Sequence, residues 1–217
     1  SGNGIADGAF RTLIMDIVVT GYAGLEGSIA VYNAPACFPK LKERYSESFF
    51  AVFENADIIC EASQSKICME TEESKGECDK AAGTNTAGAE LNRLYTRYLE
   101  SGLVEDGSEG GVLAALWRLL KANKSGGMYA QKSIPVLQQT IEVCEMFSLN
   151  PYRLHAPGCR VWLSSDTGEL ARAAATAGVP LNVIGFTSKG VAIRRTDTEG
   201  DSSLRRPEGD ELDKVIL

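Results

Sequence analysis

Residues 105–123, EDGSEGGVLAALWRLLKAN, place a polar, glycine-broken turn directly before a helix whose apolar side chains recur at Val112, Leu113, Leu116, Leu119 and Leu120. The 3.6-residue period makes one buried stripe, so this helix must lie on an apolar layer supplied by the rest of the chain. The preceding LVED, residues 103–106, reads as a short strand that feeds the turn. The turn itself has two physical readings. The first N–H groups of a helix lack internal partners and sit at the positive end of its dipole, so they hold an anion readily. Asp106 with Glu109 three residues on has capping-box spacing, and Ser108 is a second candidate cap, so the helix can also satisfy those donors itself. On local sequence the self-capped reading leads.

Elsewhere strands and helices alternate in mixed order. Residues 13–20, LIMDIVVT, are apolar and β-branched enough for a buried strand, and GYAGLEGS after them reads as a glycine-punctuated loop. A helix is expected within residues 35–57, with Pro39 early and Leu41, Tyr45, Phe49, Phe50 and Phe53 on one face. Residues 61–86 are polar and weakly periodic, an excursion from the core. A further helix carries Leu91, Leu94, Tyr95, Tyr98 and Leu99 on one face and stops at Gly102. Strand character returns in GGMYAQKSIPV, followed by an amphipathic helix ended by Asn150-Pro151. GCRVWLSS reads as strand and TGELARAAATAG as a helix closed by Gly178. Residues 179–197 read as two strands joined by a turn near Ser188 to Gly190, and the charged tail from Thr198 as mobile or an edge extension. The expectation is an α+β layered sandwich spanning residues 13–197, after an extension of residues 1–12, without the one-strand, one-helix rhythm of a doubly wound nucleotide fold.

With 44% apolar residues among 217, the chain can bury a core without metals or disulfides. Lys and Arg number 22 against 29 Asp and Glu, a net charge of -7, which argues against a general nucleic-acid or anionic-membrane surface. No apolar run reaches the ~18 residues of a membrane span, and the opening residues lack the order of a signal peptide, so a cytoplasmic protein is expected. Cys37, Cys60, Cys68, Cys78, Cys144 and Cys159 form no C-x-x-C pair, so no metal site is assigned.

Several segments, in this order, carry a resemblance: DIVVTGYAGLEGS, EDGSEGGVLAALWRL, SIPVLQQTIEVCEMFSLNPYRL, PGCRVWL and GVPLNVIGFTSKG. They resemble the C-terminal domain of the aminoimidazole ribonucleotide (AIR) synthase superfamily over roughly residues 16–217. The closest likeness is to proteins similar to the hydrogenase maturation factor that dehydrates a thiocarboxamide. The superfamily also holds selenophosphate synthetase, thiamine monophosphate kinase and formylglycinamidine ribonucleotide synthetase. The resemblance implies a three-layer α/β/α fold with partial ferredoxin-like topology. It also implies a two-domain, ATP-using enzyme whose N-terminal domain brings the acidic metal-binding sequences and most of the ATP site. No Asp-Asp pair or Walker-type signature occurs here, so ATP and magnesium would enter only through a partner domain.

The turn aligns with the superfamily pattern His-Asp-x-Thr-x-Gly-Gly. Asp106, Ser108, Gly110 and Gly111 keep its acid, hydroxyl and paired glycines, while Glu105 stands where histidine is common. A carboxylate there repels a polyanion. The candidate ligand-binding residues are Asp106, Ser108, Glu109, Gly110 and Gly111 of the turn, with Gly24, Glu26 and Gly27 of the first loop and Gly158. No catalytic residue is assigned: His155 precedes Cys159 by four, but Ala156-Pro157-Gly158 between them forbids a helix that would align base and nucleophile. Trp117 and Trp162 read as packing residues. Two functions are expected: a non-catalytic domain binding a small, phosphorylated ligand or a protein partner, or one subunit of a split ATP-dependent enzyme. Self-association of the same face into a homodimer is a third possibility.

Overall fold

The computed structural model describes residues 14–54, 86–197 and 202–216. The expected extension over residues 1–12, nearly all of the polar excursion and Cys60, Cys68 and Cys78 lie outside them.

Among the described residues seven strands form one sheet: β1 (Asp16–Thr20), β2 (Val104–Gly107), β3 (Gly126–Tyr129), β4 (Ala156–Ser164), β5 (Leu181–Ser188), β6 (Ile193–Arg195) and β7 (Ser202–Ser203), in the order β2-β4-β1-β5-β3-β6-β7. β1 is antiparallel to both β4 and β5, and β5 to β3, so β1 and β3 run parallel across an intervening strand. That split arrangement is the ferredoxin-like element, but here β4 precedes β5 in the chain, so the topology is only partly ferredoxin-like.

The central strands are apolar on both faces because both faces are covered. Ile17, Val19, Val161 and Leu163 point to one side, against Val112, Leu116, Leu119 and Leu120 of the helix Gly111–Ala122. Val18 and Trp162 point to the other, against Leu91 and Leu94 of the helix Thr86–Glu100 and Leu170 and Ala174 of the helix Gly168–Ala177. Each such side chain, fully buried, contributes roughly 2 kcal/mol. The result is a three-layer α/β/α sandwich. A second helical cluster adjoins it, where the helices Leu25–Asn33, Phe38–Arg44 and Gln138–Phe147 pack Val31, Leu41, Phe50, Val143 and Leu154 together. Ser28 and Thr140, both fully buried, join two of these helices by a 3.0 Å hydroxyl bond.

Three local expectations are corrected. The GYAGLEGS loop turns into helix at Leu25, because Gly24 in the left-handed region starts the helix and Gly27 continues it. The helix beginning at Phe38 breaks at Tyr45 and Ser46, which are extended, and resumes as a 3₁₀ turn, Glu47–Phe50, and a short helix, Ala51–Glu54. Leu99 is 45% exposed, not on the buried face. The two strands expected after residue 179 are β5 and β6, joined by a turn, but they do not pair with each other: β3 lies between them and pairs with both, a long-range choice that local turn residues do not encode.

Candidate functional site

The turn after β2 is built by its own acid and by an arginine from the helix it starts. Asp106 Oδ1 accepts the Ser108 N–H at 2.9 Å and also the Ser108 hydroxyl, which folds residues 106–108 into a side-chain-closed turn. Arg118, two turns into the helix, donates from Nη2 to the Asp106 carbonyl at 3.0 Å and from Nη1 to the Glu109 carbonyl at 2.7 Å. Its Nε faces Glu105 Oε2 at 3.4 Å. The carboxylate that departs from the superfamily pattern is therefore matched by a guanidinium, and the repulsion expected of it is offset.

The capping box does not form. Gly110 is the cap residue, with φ 71°, and neither Asp106 nor Glu109 bonds the free helix donors. Gly110 N–H instead donates to Asp210 Oδ2 at 2.9 Å, from the C-terminal tail. Asp210 Oδ1 accepts two more, from His155 N–H at 3.1 Å and Leu212 N–H at 2.9 Å. The helix start thus holds a carboxylate, supplied a hundred residues away in sequence. The tail residues around it are ordered against the body: Glu211 is 5% exposed and pairs with Lys214 at 2.5 Å, and Ser202–Ser203 adds the edge strand expected as one alternative.

The remaining candidate residues converge on residues 151–155. A side chain at Gly111 would meet the Tyr152 carbonyl oxygen at 2.6 Å, one at Gly24 the Pro151 carbonyl oxygen at 2.6 Å, and one at Gly27 the Leu154 side chain at 2.5 Å. Glu26 Oε1 accepts the Gly158 N–H at 2.8 Å, tying the first helix to β4. Asp106 Oδ2 faces the Tyr95 hydroxyl at 3.4 Å, on the far side of the sheet from Asp210. The candidates do not share one ligand-facing surface: Ser108, Glu109 and Gly110 line a cavity, and the others lock backbone segments together.

That cavity, of about 520 Å³, lies between the first turns of the helix Gly111–Ala122 and the tail. Trp117, Arg118, His155, Arg206, Asp210 and Asp213 are among its lining. His155 Nδ1 donates to the Ser108 carbonyl at 2.7 Å, since a carbonyl can only accept. Sequence reading missed Arg118, Arg206 and Asp210. Arg118 carried a faint signal, a cation on the polar face of the helix two turns after the glycines; the tail residues carried none.

Cys159 is fully buried, and burial pushes its thiol up, with Glu26 adding to the effect. Burial likewise pushes Cys144 up to about 12, with Glu211 adding to it, against an ordinary 9.0. A rise of that size leaves roughly a thousandfold less thiolate at a given pH. Cys37, Cys144 and Cys159 are accordingly expected to resist a thiol reagent in the folded chain and to react on unfolding, as read by peptide mapping. Native labelling of Cys159 would contradict this burial. Among the described residues no group of three or more His, Cys, Asp or Glu is placed to hold a metal ion, and no helix is long and apolar enough to cross a membrane.

No family model and no curated protein matches the sequence. Solved structures do share the fold. A structure of Escherichia coli HypE matches with a TM-score of 0.53 at 16% identity, over 93% of this chain and 52% of that one. Another structure of the hydrogenase maturation protein HypE matches at 0.53 and 15% identity, over 93% and 55%. A HypE-HypF complex matches at 0.52 and 15% identity, over 89% and 53%. The chain spans about half the length of these proteins. The chain thus shares its fold with these hydrogenase maturation proteins, in line with the fold that the segment order in the sequence implied.

Proposed function

We propose that this chain acts as an AIR-synthase-related C-terminal-type domain that is not catalytic alone and binds a small anionic ligand, such as a phosphorylated metabolite, at the turn over residues 106–111. One observation carries the reading: the Gly110 N–H at the helix start holds the carboxylate of Asp210, so the turn is a receptor for an oxyanion that the chain itself fills. A phosphate offers the same acceptor chemistry and competes with that carboxylate. The adjoining cavity, with Trp117 and Arg206 on its wall, accommodates the rest of the ligand.

Asp210→Ala removes the internal competitor. It is expected to lose about 2 kcal/mol of stability, because the three N–H donors of Gly110, His155 and Leu212 lose their acceptor. The same variant should gain binding of inorganic phosphate, seen as thermal stabilisation that the unaltered chain shows only weakly. Absence of phosphate binding by both proteins would remove the reading.

The second reading, one subunit of a split ATP-dependent enzyme, is supported by the share of the HypE chains that this one spans, about half. There ATP and magnesium come with a partner domain. It requires ATP hydrolysis to arise on mixing with a partner that carries the acidic motif and to be lacking in either component by itself.

A further inference from the structure

The helices Thr86–Glu100 and Gly168–Ala177 cover Val18 and Trp162 on β1 and β4, but the same face of the sheet is open over β5 and β3. Asp16 pairs with Phe186, Phe186 with Met128, and Met128 with Arg194, so the four side chains form one row across β1, β5, β3 and β6. Asp16 stands two residues before Val18, which sets the whole row on Val18's side. Phe186 is 45% exposed and Met128 36%, whereas their strand neighbours Thr187 and Tyr129, on the other side, are buried. Val183, the register partner of Val18, and Ile14, two residues before Asp16, extend the patch. Met15 keeps Ile14 in line, because its carbonyl accepts the Thr187 N–H at 2.8 Å. Four of the six exposed large apolar side chains among the described residues therefore share one surface, the mark of an interaction face.

The order of the row selects the occupant. Across the strands it runs acid, aromatic ring, thioether, base, over about 14 Å at the usual strand spacing. A two-fold axis parallel to the strands, midway between Phe186 and Met128, reverses the row and turns its face over. Asp16 then meets Arg194 of the second copy, and Phe186 meets Met128 of the second copy. Sulfur against an aromatic ring is a favourable contact, and opposite charges close both ends. A row complementary to its own reverse is what an isologous contact between identical chains requires. Two sheets also stack in this way, about 10 Å apart with strands aligned. We propose that this open face is the interface of a symmetric homodimer. It lies on the opposite side of the sheet from the helix that starts at Gly110 and does not depend on the reading given to that turn. The face is small, so the dimer is a weak one, with a Kd of about 10 µM.

Sedimentation equilibrium of the whole chain should show mostly dimer at about 200 µM, roughly twenty times that Kd. Phe186→Glu puts a charge into the apolar centre and should weaken pairing at least about a hundredfold. Asp16→Arg and Arg194→Asp each set like charges together at both ends and should each weaken it about tenfold. An equimolar mixture of these two variants brings opposite charges together again at both ends and should pair as tightly as the unaltered chain. Asp210→Ala should leave the dimer intact. A monomer at about 200 µM, pairing undiminished in Phe186→Glu, or a mixture no tighter than its components overturns the interface. Should Phe186→Glu not fold, the two charge variants and their mixture decide it.

Discussion

Replacing Gly111 by alanine should destabilise the chain by about 4 kcal/mol, measured by urea unfolding. Two costs combine. Gly111 has φ 69°, a left-handed conformation that costs a residue with a Cβ roughly 1–2 kcal/mol. The new Cβ would also meet Tyr152 O at 2.6 Å, Arg153 C at 2.8 Å and Leu154 N at 2.8 Å. All three are backbone atoms, so relief requires moving residues 152–154, and overpacking of that kind costs about 1–3 kcal/mol. Gly102 is the control. Its φ is 66°, but a Cβ there meets nothing within 4 Å, so Gly102→Ala should cost only about 1 kcal/mol. If the two variants lie within about 1 kcal/mol of each other, the close approach at Gly111 is not what holds the turn against residues 151–155.

This contrast bears on what the twin glycines are for. Read locally, both invited a ligand to the backbone. In the folded chain Gly111 admits the chain's own residues 152–154, and only Gly110 keeps an N–H directed at an acid, that of Asp210. The stripe Val112, Leu113, Leu116, Leu119 and Leu120 was legible because its period is local, and all five are buried. The strand Asp16–Thr20 was legible for the same reason, as was the helix stop at Gly178, which is left-handed as a terminating glycine should be. The helix Leu25–Asn33 was not, because Gly24 and Gly27 look like loop punctuation until residues 151–155 are placed against them. The acid on Gly110 and the cavity wall at Arg206 were beyond reach, since each exists only through contacts from the tail. Position along the chain carries periodicity well and partner choice hardly at all.

Trp162→Ala should cost about 5 kcal/mol, because it empties the centre of the layer that covers the second face of the sheet. The indole is fully buried, edge-on to Tyr95 at 6.0 Å and to Tyr98 at 5.4 Å between centroids. Truncating such a residue typically costs about 3–5 kcal/mol, and each aromatic pair adds roughly 1 kcal/mol. Its Nε1 also donates to Thr20 Oγ1 at 2.9 Å, inside the core. Trp162→Phe separates the two contributions: it retains most of the apolar contact and deletes the bond, so it should cost only about 2 kcal/mol. A phenylalanine variant as unstable as the alanine one would mean that the hydrogen bond, not the packing, dominates. The layers should also respond unequally in hydrogen exchange. Leu91 and Leu94 pack in the same cluster as Trp162, whereas Val112 to Leu120 pack on the opposite face. Amide protection should therefore fall in the helix Thr86–Glu100 while the helix Gly111–Ala122 keeps most of its own. Equal loss in both would show that the two faces open as one cooperative unit, and that the turn at Gly110 cannot stay formed when the Tyr95 layer loosens.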